Sequence, residues 1–122
     1  MFALFPIFYT DCGKNVFINS GCRFQDQGGI TIGPGELIGN NAVLATLNHD
    51  IDSQKRSTMH PASITIGKDV WIGANVTIVP GVDIRNGAII AVGALVTKNI
   101  AFNISAGVIP SKVLKKIEVD KQ

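Results

Sequence analysis

His49 and His60 are the only two histidines among 122 residues, and they are the side chains best suited to moving a proton near neutral pH. A neutral imidazole with its ordinary pKa near 6.5 can take the proton of a hydroxyl as that oxygen attacks an electrophile. His49 stands in "LATLNHDID" and His60 in "TMHPA". The second has no companions of matching chemistry and reads as a loop residue that packs. Cys12 and Cys22 lie ten positions apart without a CxxC spacing, and they read as reduced, packed thiols. No cysteine or serine stands in a pattern that marks an activated nucleophile. A tri-histidine zinc centre needs one more histidine than the chain has, so no metal site is expected.

The composition sets the frame for those residues. Apolar residues make up 46% and charged residues 16%, the balance of a folding chain and not of a disordered one. A net charge of +2, spread thinly, marks neither a nucleic-acid surface nor a membrane surface. The tail "SKVLKKIEVDKQ" holds four of the eleven basic residues and suits an anionic ligand near that end. "MFALFPIF" is short, lacks a basic flank and meets a proline at once, so it reads neither as a signal peptide nor as a span. A cytoplasmic protein of one domain, residues 1–122, is expected.

What must position the histidines is a repeat. From Ile66 the sequence divides without gaps into "IGKDVW", "IGANVT", "IVPGVD", "IRNGAI", "IAVGAL" and "VTKNIA". The first places are Ile66, Ile72, Ile78, Ile84, Ile90 and Val96; the fifth are Val70, Val76, Val82, Ala88, Ala94 and Ile100. Apolar side chains at two fixed phases of a six-residue period fit neither a helix nor a simple strand. They fit a hexapeptide parallel β-helix. Three hexads then close a triangular coil of about eighteen residues, coils stack at about 4.8 Å, and the chain makes a prism of about four to five coils. Gly35, Asn41, Asn75, Gly81, Gly87 and Gly93 are placed for the tight corners.

The repeat is interrupted twice. An extra pair, Ile30 and Thr31, predicts a bulge or a widened corner. Residues 50–65 fit no hexad and predict an exposed excursion, with His49 at its head. The tail around "PSKVLKKI" is expected to fold back over the last coil as a short helix, a cap at about residues 110–122.

With "INSGCRFQDQGGITIG", "NHD", "ITIGKDVWIGANVTIVPGV", "GALVTKNI" and "PSKVLKKI" in view, the sequence resembles the maltose and galactoside O-acetyltransferase group of the hexapeptide-repeat acyltransferases. The resemblance implies a left-handed coil, acetyl-CoA as acetyl donor without a metal, a small hydroxyl acceptor such as a sugar, and a homotrimer with active sites between subunits. It implies His49 as general base in a direct transfer without an acyl-enzyme. Asn19 falls at the acetyl end of the cofactor and beside the acceptor, where its amide can steady an oxyanion. Asp26, with Gln27 next to it, falls at the acceptor-binding aspartate, and Trp71 beside the active site. The backbone at Ala74 and Val92 would hold the pantetheine arm. Thr97, Lys98, Lys112 and Lys115 fall at cofactor-phosphate positions, the last two with lysine where relatives often carry arginine.

The sequence also departs from that pattern. The N-terminal helical segment usual in the family is not in this sequence, and Ala101 and Phe102 stand where a proline pair is usual. A shortened, catalytically inactive β-helix serving as a structural or interaction module is the alternative these departures leave open.

Overall fold

The computed structural model describes residues 9–107 and 112–117. The first coil consists of β1 (Thr10–Cys12), β2 (Phe17–Ile18) and β3 (Arg23–Gln25), and the second of β4 (Ile30–Ile32), β5 (Leu37–Ile38) and β6 (Val43–Ala45). A detour follows, formed by β7 (Leu47–His49), a 3-10 turn at Ser53–Lys55 and β8 (Met59–Pro61). The third coil is β9 (Ile64–Ile66), β10 (Trp71–Ile72) and β11 (Thr77–Ile78); the fourth is β12 (Asp83–Ile84), β13 (Ile89–Ile90) and β14 (Leu95–Val96). β15 (Ile104–Gly107) and β16 (Lys112–Lys116) close the described chain.

Equivalent strands of successive coils pair in parallel and make three sheets. The first sheet is β1-β4-β9-β12, extended by a parallel bridge from Ile84 to Ile100. The second is β2-β5-β10-β13-β15, and the third β3-β6-β11-β14. Trp71 pairs with Ile89, eighteen residues on, which is the full three-hexad coil. Phe17 pairs with Leu37, twenty residues on, so the first turn carries the extra pair. That pair widens a corner and makes no bulge, because Ile30, Thr31 and Ile32 stay in register with Ile64, Thr65 and Ile66. The slack is taken up at 26–29, where Gly29 N–H donates to the Asp26 carbonyl.

The core is the two apolar ladders. All six first-place and all six fifth-place residues of the second-half hexads are buried. Stacking puts each aliphatic on its counterpart one coil away, so the interior is a column of Ile, Val, Leu and Ala contacts. The six corner residues singled out in the sequence all adopt positive φ, from 59° at Asn75 to 85° at Gly81. At Gly35 φ is +78°, a backbone conformation that side chains with a Cβ rarely adopt, and a Cβ there would also make the Asp69 carboxylate shift.

Two expectations are corrected. The excursion does not occupy 50–65: Leu47, Asn48 and His49 already pair antiparallel with Pro61, His60 and Met59, and Ile64 and Thr65 are back in the ladder. Residues 112–116 form no helix but strand β16, antiparallel to β15. The outer edge of β15 has unpaired backbone groups, and an added strand satisfies them where a helix would not. The remainder of the expected cap lies outside the described residues.

Candidate active site

Two edges of the third sheet carry most of the candidate site residues. The chain passes from the third sheet to the first at 26–29, through the hairpin at 46–63, and at 79–82 and 97–99; it passes from the second sheet to the third at 19–22, 39–42, 73–76 and 91–94.

The hairpin on the first of these edges is anchored by Thr46, which is fully buried. Its Oγ1 donates to the Gln25 carbonyl at 2.6 Å and accepts from Gly28 N–H at 2.8 Å. Its carbonyl accepts from Ala62 N–H, closing the hairpin base. Gly28 is required there, since a Cβ would stand 2.9 Å from Thr46 Cβ and 3.1 Å from Ala62 N. Gln25 Oε1 accepts from Leu47 N–H at 3.3 Å, so β7 leaves the prism in a fixed direction.

β7 ends on His49, which is exposed. Its Nδ1 lies 2.8 Å from the Arg56 carbonyl oxygen. A carbonyl only accepts, so the neutral ring carries its hydrogen on Nδ1 and leaves Nε2 with a bare lone pair. That is the tautomer a base acting through Nε2 requires. On the other face of the hairpin, His60 Nε2 lies 2.9 Å from Asp50 Oδ2. The Asp52 amide and then His60 hold the Asp50 carboxyl below its ordinary value.

The remaining candidates are distributed as follows. Thr97 and Lys98 are exposed on the same edge as the hairpin. Asn19, Ala74 and Val92 lie on the opposite edge, with Trp71 on the adjoining outer face of the second sheet. Asn19 is exposed, and its Oδ1 accepts from Ser20 N–H at 2.7 Å. Trp71 is 54% exposed and is laterally aligned with Phe17, Leu37 and Ile89 in an apolar stripe. Next to Val92, Gly93 has open space where a side chain would be. Lys112 and Lys115 stand on β16, across from Gly107 and Ser105.

One chain therefore does not bring His49 together with Asn19, Ala74 and Val92. A prism face of six residues, at most about 20 Å of chain, separates the two edges.

Asp26 is turned inward. It is 1% exposed, and its Oδ2 accepts from Tyr9 N–H and from Thr10 Oγ1, each at 2.8 Å. Gln27 beside it is exposed. Residues without a sequence signal are Thr46, Gln25 and Arg56, because the first two act through hydrogen bonds to backbone groups distant in sequence and the third through its backbone carbonyl. Cys12 and Cys22 are unpaired; burial raises both thiols, and Asp11 and Glu36 add to the effect at Cys12, which is exposed. Among the described residues no group of three or more His, Cys, Asp or Glu could hold a metal ion, and no helix is long and apolar enough to cross a membrane.

Residues 63–98 match the family described as bacterial transferase hexapeptide (six repeats). The chain belongs to that hexapeptide-repeat family, with its left-handed parallel β-helix. It is 36% identical over 107 residues to galactoside O-acetyltransferase of Escherichia coli (strain K12), a match covering 86% of this chain and 53% of that one. Among solved structures it is similar to a maltose O-acetyltransferase from Clostridium difficile 630, at 37% identity and a TM-score of 0.89 over 92% of this chain and 61% of that one. It is also similar to a hexapeptide-repeat acetyltransferase from Vibrio cholerae O1 biovar eltor complexed with acetyl coenzyme A, at 30% identity and a TM-score of 0.88 over 91% and 62%. The chain thus spans between 53% and 62% of the length of these three proteins.

Proposed function

We propose that the chain is the catalytic prism of an O-acetyltransferase that moves acetyl from acetyl-CoA to a hydroxyl of a sugar or similar small acceptor. The observation that carries the reading is the bond from His49 Nδ1 to the Arg56 carbonyl, which leaves Nε2 free to accept a proton. The galactoside and maltose O-acetyltransferase relatives, and the neighbour bound to acetyl coenzyme A, support the donor and the reaction class.

In this reading the acceptor oxygen attacks the thioester carbon as Nε2 takes its proton. The tetrahedral intermediate collapses, the C–S bond breaks, and the departing thiolate recovers the proton from the imidazolium. No acyl-enzyme forms, since neither cysteine is activated: both thiols are raised, not lowered. The Asn19 amide steadies the oxyanion. Trp71 forms an apolar wall beside the acceptor, and Gln27, not the inward-turned Asp26, faces it. The corners at Ala74 and Val92 accommodate the pantetheine arm, while Thr97, Lys98, Lys112 and Lys115 serve its phosphates as point charges and donors.

His49 and Asn19 lie on opposite edges of one sheet, which suits the homotrimer that the family resemblance implies, each site taking His49 from one prism and Asn19 from the next. Two unpaired cysteines suit a reducing cytoplasm. A second reading, an inactive prism serving as an interaction module, is favoured by one observation: the carboxylate at the acceptor position supports β1 instead.

The test is calorimetric titration with acetyl-CoA followed by assay of CoA release over a panel of sugars. Saturable binding and acceptor-dependent release are expected. Binding without release would favour the module, and no saturable binding would reject the enzyme.

A further inference from the structure

Both oxygens of the Asp50 carboxylate are engaged by the loop that follows His49. Oδ1 accepts from Asp52 N–H at 2.8 Å, and Oδ2 lies 2.9 Å from His60 Nε2 on the facing strand. The Asp50 amide itself donates to the Thr58 carbonyl. Asp52, held in this way, caps the 3-10 turn, its Oδ1 accepting from Gln54 N–H at 3.0 Å and its carbonyl from Lys55 N–H at 2.9 Å. Arg56 ends that turn and ties it back, Nη2 donating to the Ile51 carbonyl at 3.2 Å. The Arg56 carbonyl is the acceptor for His49 Nδ1.

A short chain of contacts therefore runs from Asp50 through Asp52 and the turn to the group that selects the His49 tautomer. Adjacent strand residues point to opposite faces, so Asp50 is turned away from the imidazole and acts only through the loop. An exposed histidine without such a partner samples both neutral tautomers, and the one with hydrogen on Nε2 cannot accept a proton there.

We infer that Asp50 is a positioning residue: by holding the Asp52 amide and His60, it keeps the Arg56 carbonyl on His49 Nδ1 and so keeps hydrogen off Nε2. The consequence for catalysis rests on His49 being the base, but the tautomer itself does not.

The experiment is long-range proton–nitrogen correlation NMR of protein labelled with nitrogen-15 histidine, for the unmodified chain, Asp50→Ala and Asp50→Asn, with the unfolding midpoint as a check on the prism. His49 is expected as the Nδ1–H tautomer in the unmodified chain and as a mixture in Asp50→Ala. Asp50→Asn, which keeps an acceptor for the Asp52 amide, falls between them. In the acetyl-transfer assay Asp50→Ala is expected to lower kcat in proportion to the share of His49 that leaves the Nδ1–H tautomer, with KM for acetyl-CoA unchanged. A His49 that remains wholly Nδ1–H in both variants overturns the inference. A chain without transferase activity would reject the catalytic reading, while the tautomer pattern would still decide the role of Asp50.

Discussion

Glu36 Oε2 accepts the backbone N–H of Val70 at 3.2 Å, inside a ladder whose other members are apolar. Its side chain is fully buried, and Oε1 has no hydrogen-bond partner among the described residues. Burial pushes this carboxyl up to about 7, the Val70 amide opposing the rise and Asp69 adding to it. The folded state thus binds a proton that the unfolded chain, with its ordinary value of 4.5, releases.

Stability should therefore fall as pH rises between those two values. Below 4.5 both states are protonated and nothing is lost; above about 7 the folded chain bears the full cost of a buried charge. The loss across that window is about 3 kcal/mol for this group. Urea unfolding at pH 5 and pH 8 measures it, and Glu36→Gln should flatten the difference. Parallel pH profiles for the two proteins would remove Glu36 as its cause.

Asp26 should prove structural. Asp26→Ala leaves Tyr9 N–H and Thr10 Oγ1 without this acceptor and should cost about 1–3 kcal/mol of stability. Faster hydrogen exchange at the Tyr9 amide would locate the loss in β1. Gln27→Ala should leave stability near that of the unmodified chain and raise KM for the acceptor, which steady-state kinetics would show.

The core prediction concerns the ladders. Ile78 is fully buried between the first-place aliphatics Leu44 and Val96 of the third sheet. Ile78→Ala should lower stability by about 2–5 kcal/mol, the range for removing a buried aliphatic from a close-packed interior. Chemical denaturation measures it directly.

These predictions divide along the line of what could be read in the chain. A six-residue period is a purely local signal, so the buried ladder from Ile66 to Ile100 and the positive-φ corners at Asn41 and Gly81 were legible. The strand at Lys112–Lys116 was not, because it depends on the free edge of β15 and not on its own pattern. The inward turn of Asp26 depends on two donors sixteen and seventeen residues away, Thr10 at the start of β1 and Tyr9 just before it. The Arg56 carbonyl has no side-chain signature at all, and Glu36 was hidden at a ladder place where the period predicts an apolar residue. His49 was conspicuous, but its tautomer was not.

A site shared between prisms predicts complementation. His49→Ala and Asn19→Ala chains, unfolded together and refolded as mixed trimers, should regain about a quarter of full activity, since a site then draws an intact His49 from one chain and an intact Asn19 from another. Each variant alone should remain nearly inactive. Failure of the mixture to exceed its parts would place both residues' roles within a single chain.

The most direct measurement is the rate of CoA release from acetyl-CoA with a hydroxyl acceptor, for the unmodified chain and for His49→Ala. The variant should retain its unfolding midpoint and its binding of acetyl-CoA, while kcat falls by about two to four decades, as expected when a general base is removed. A His49→Ala protein that turns over at nearly the unmodified rate would contradict the role of His49 as the base.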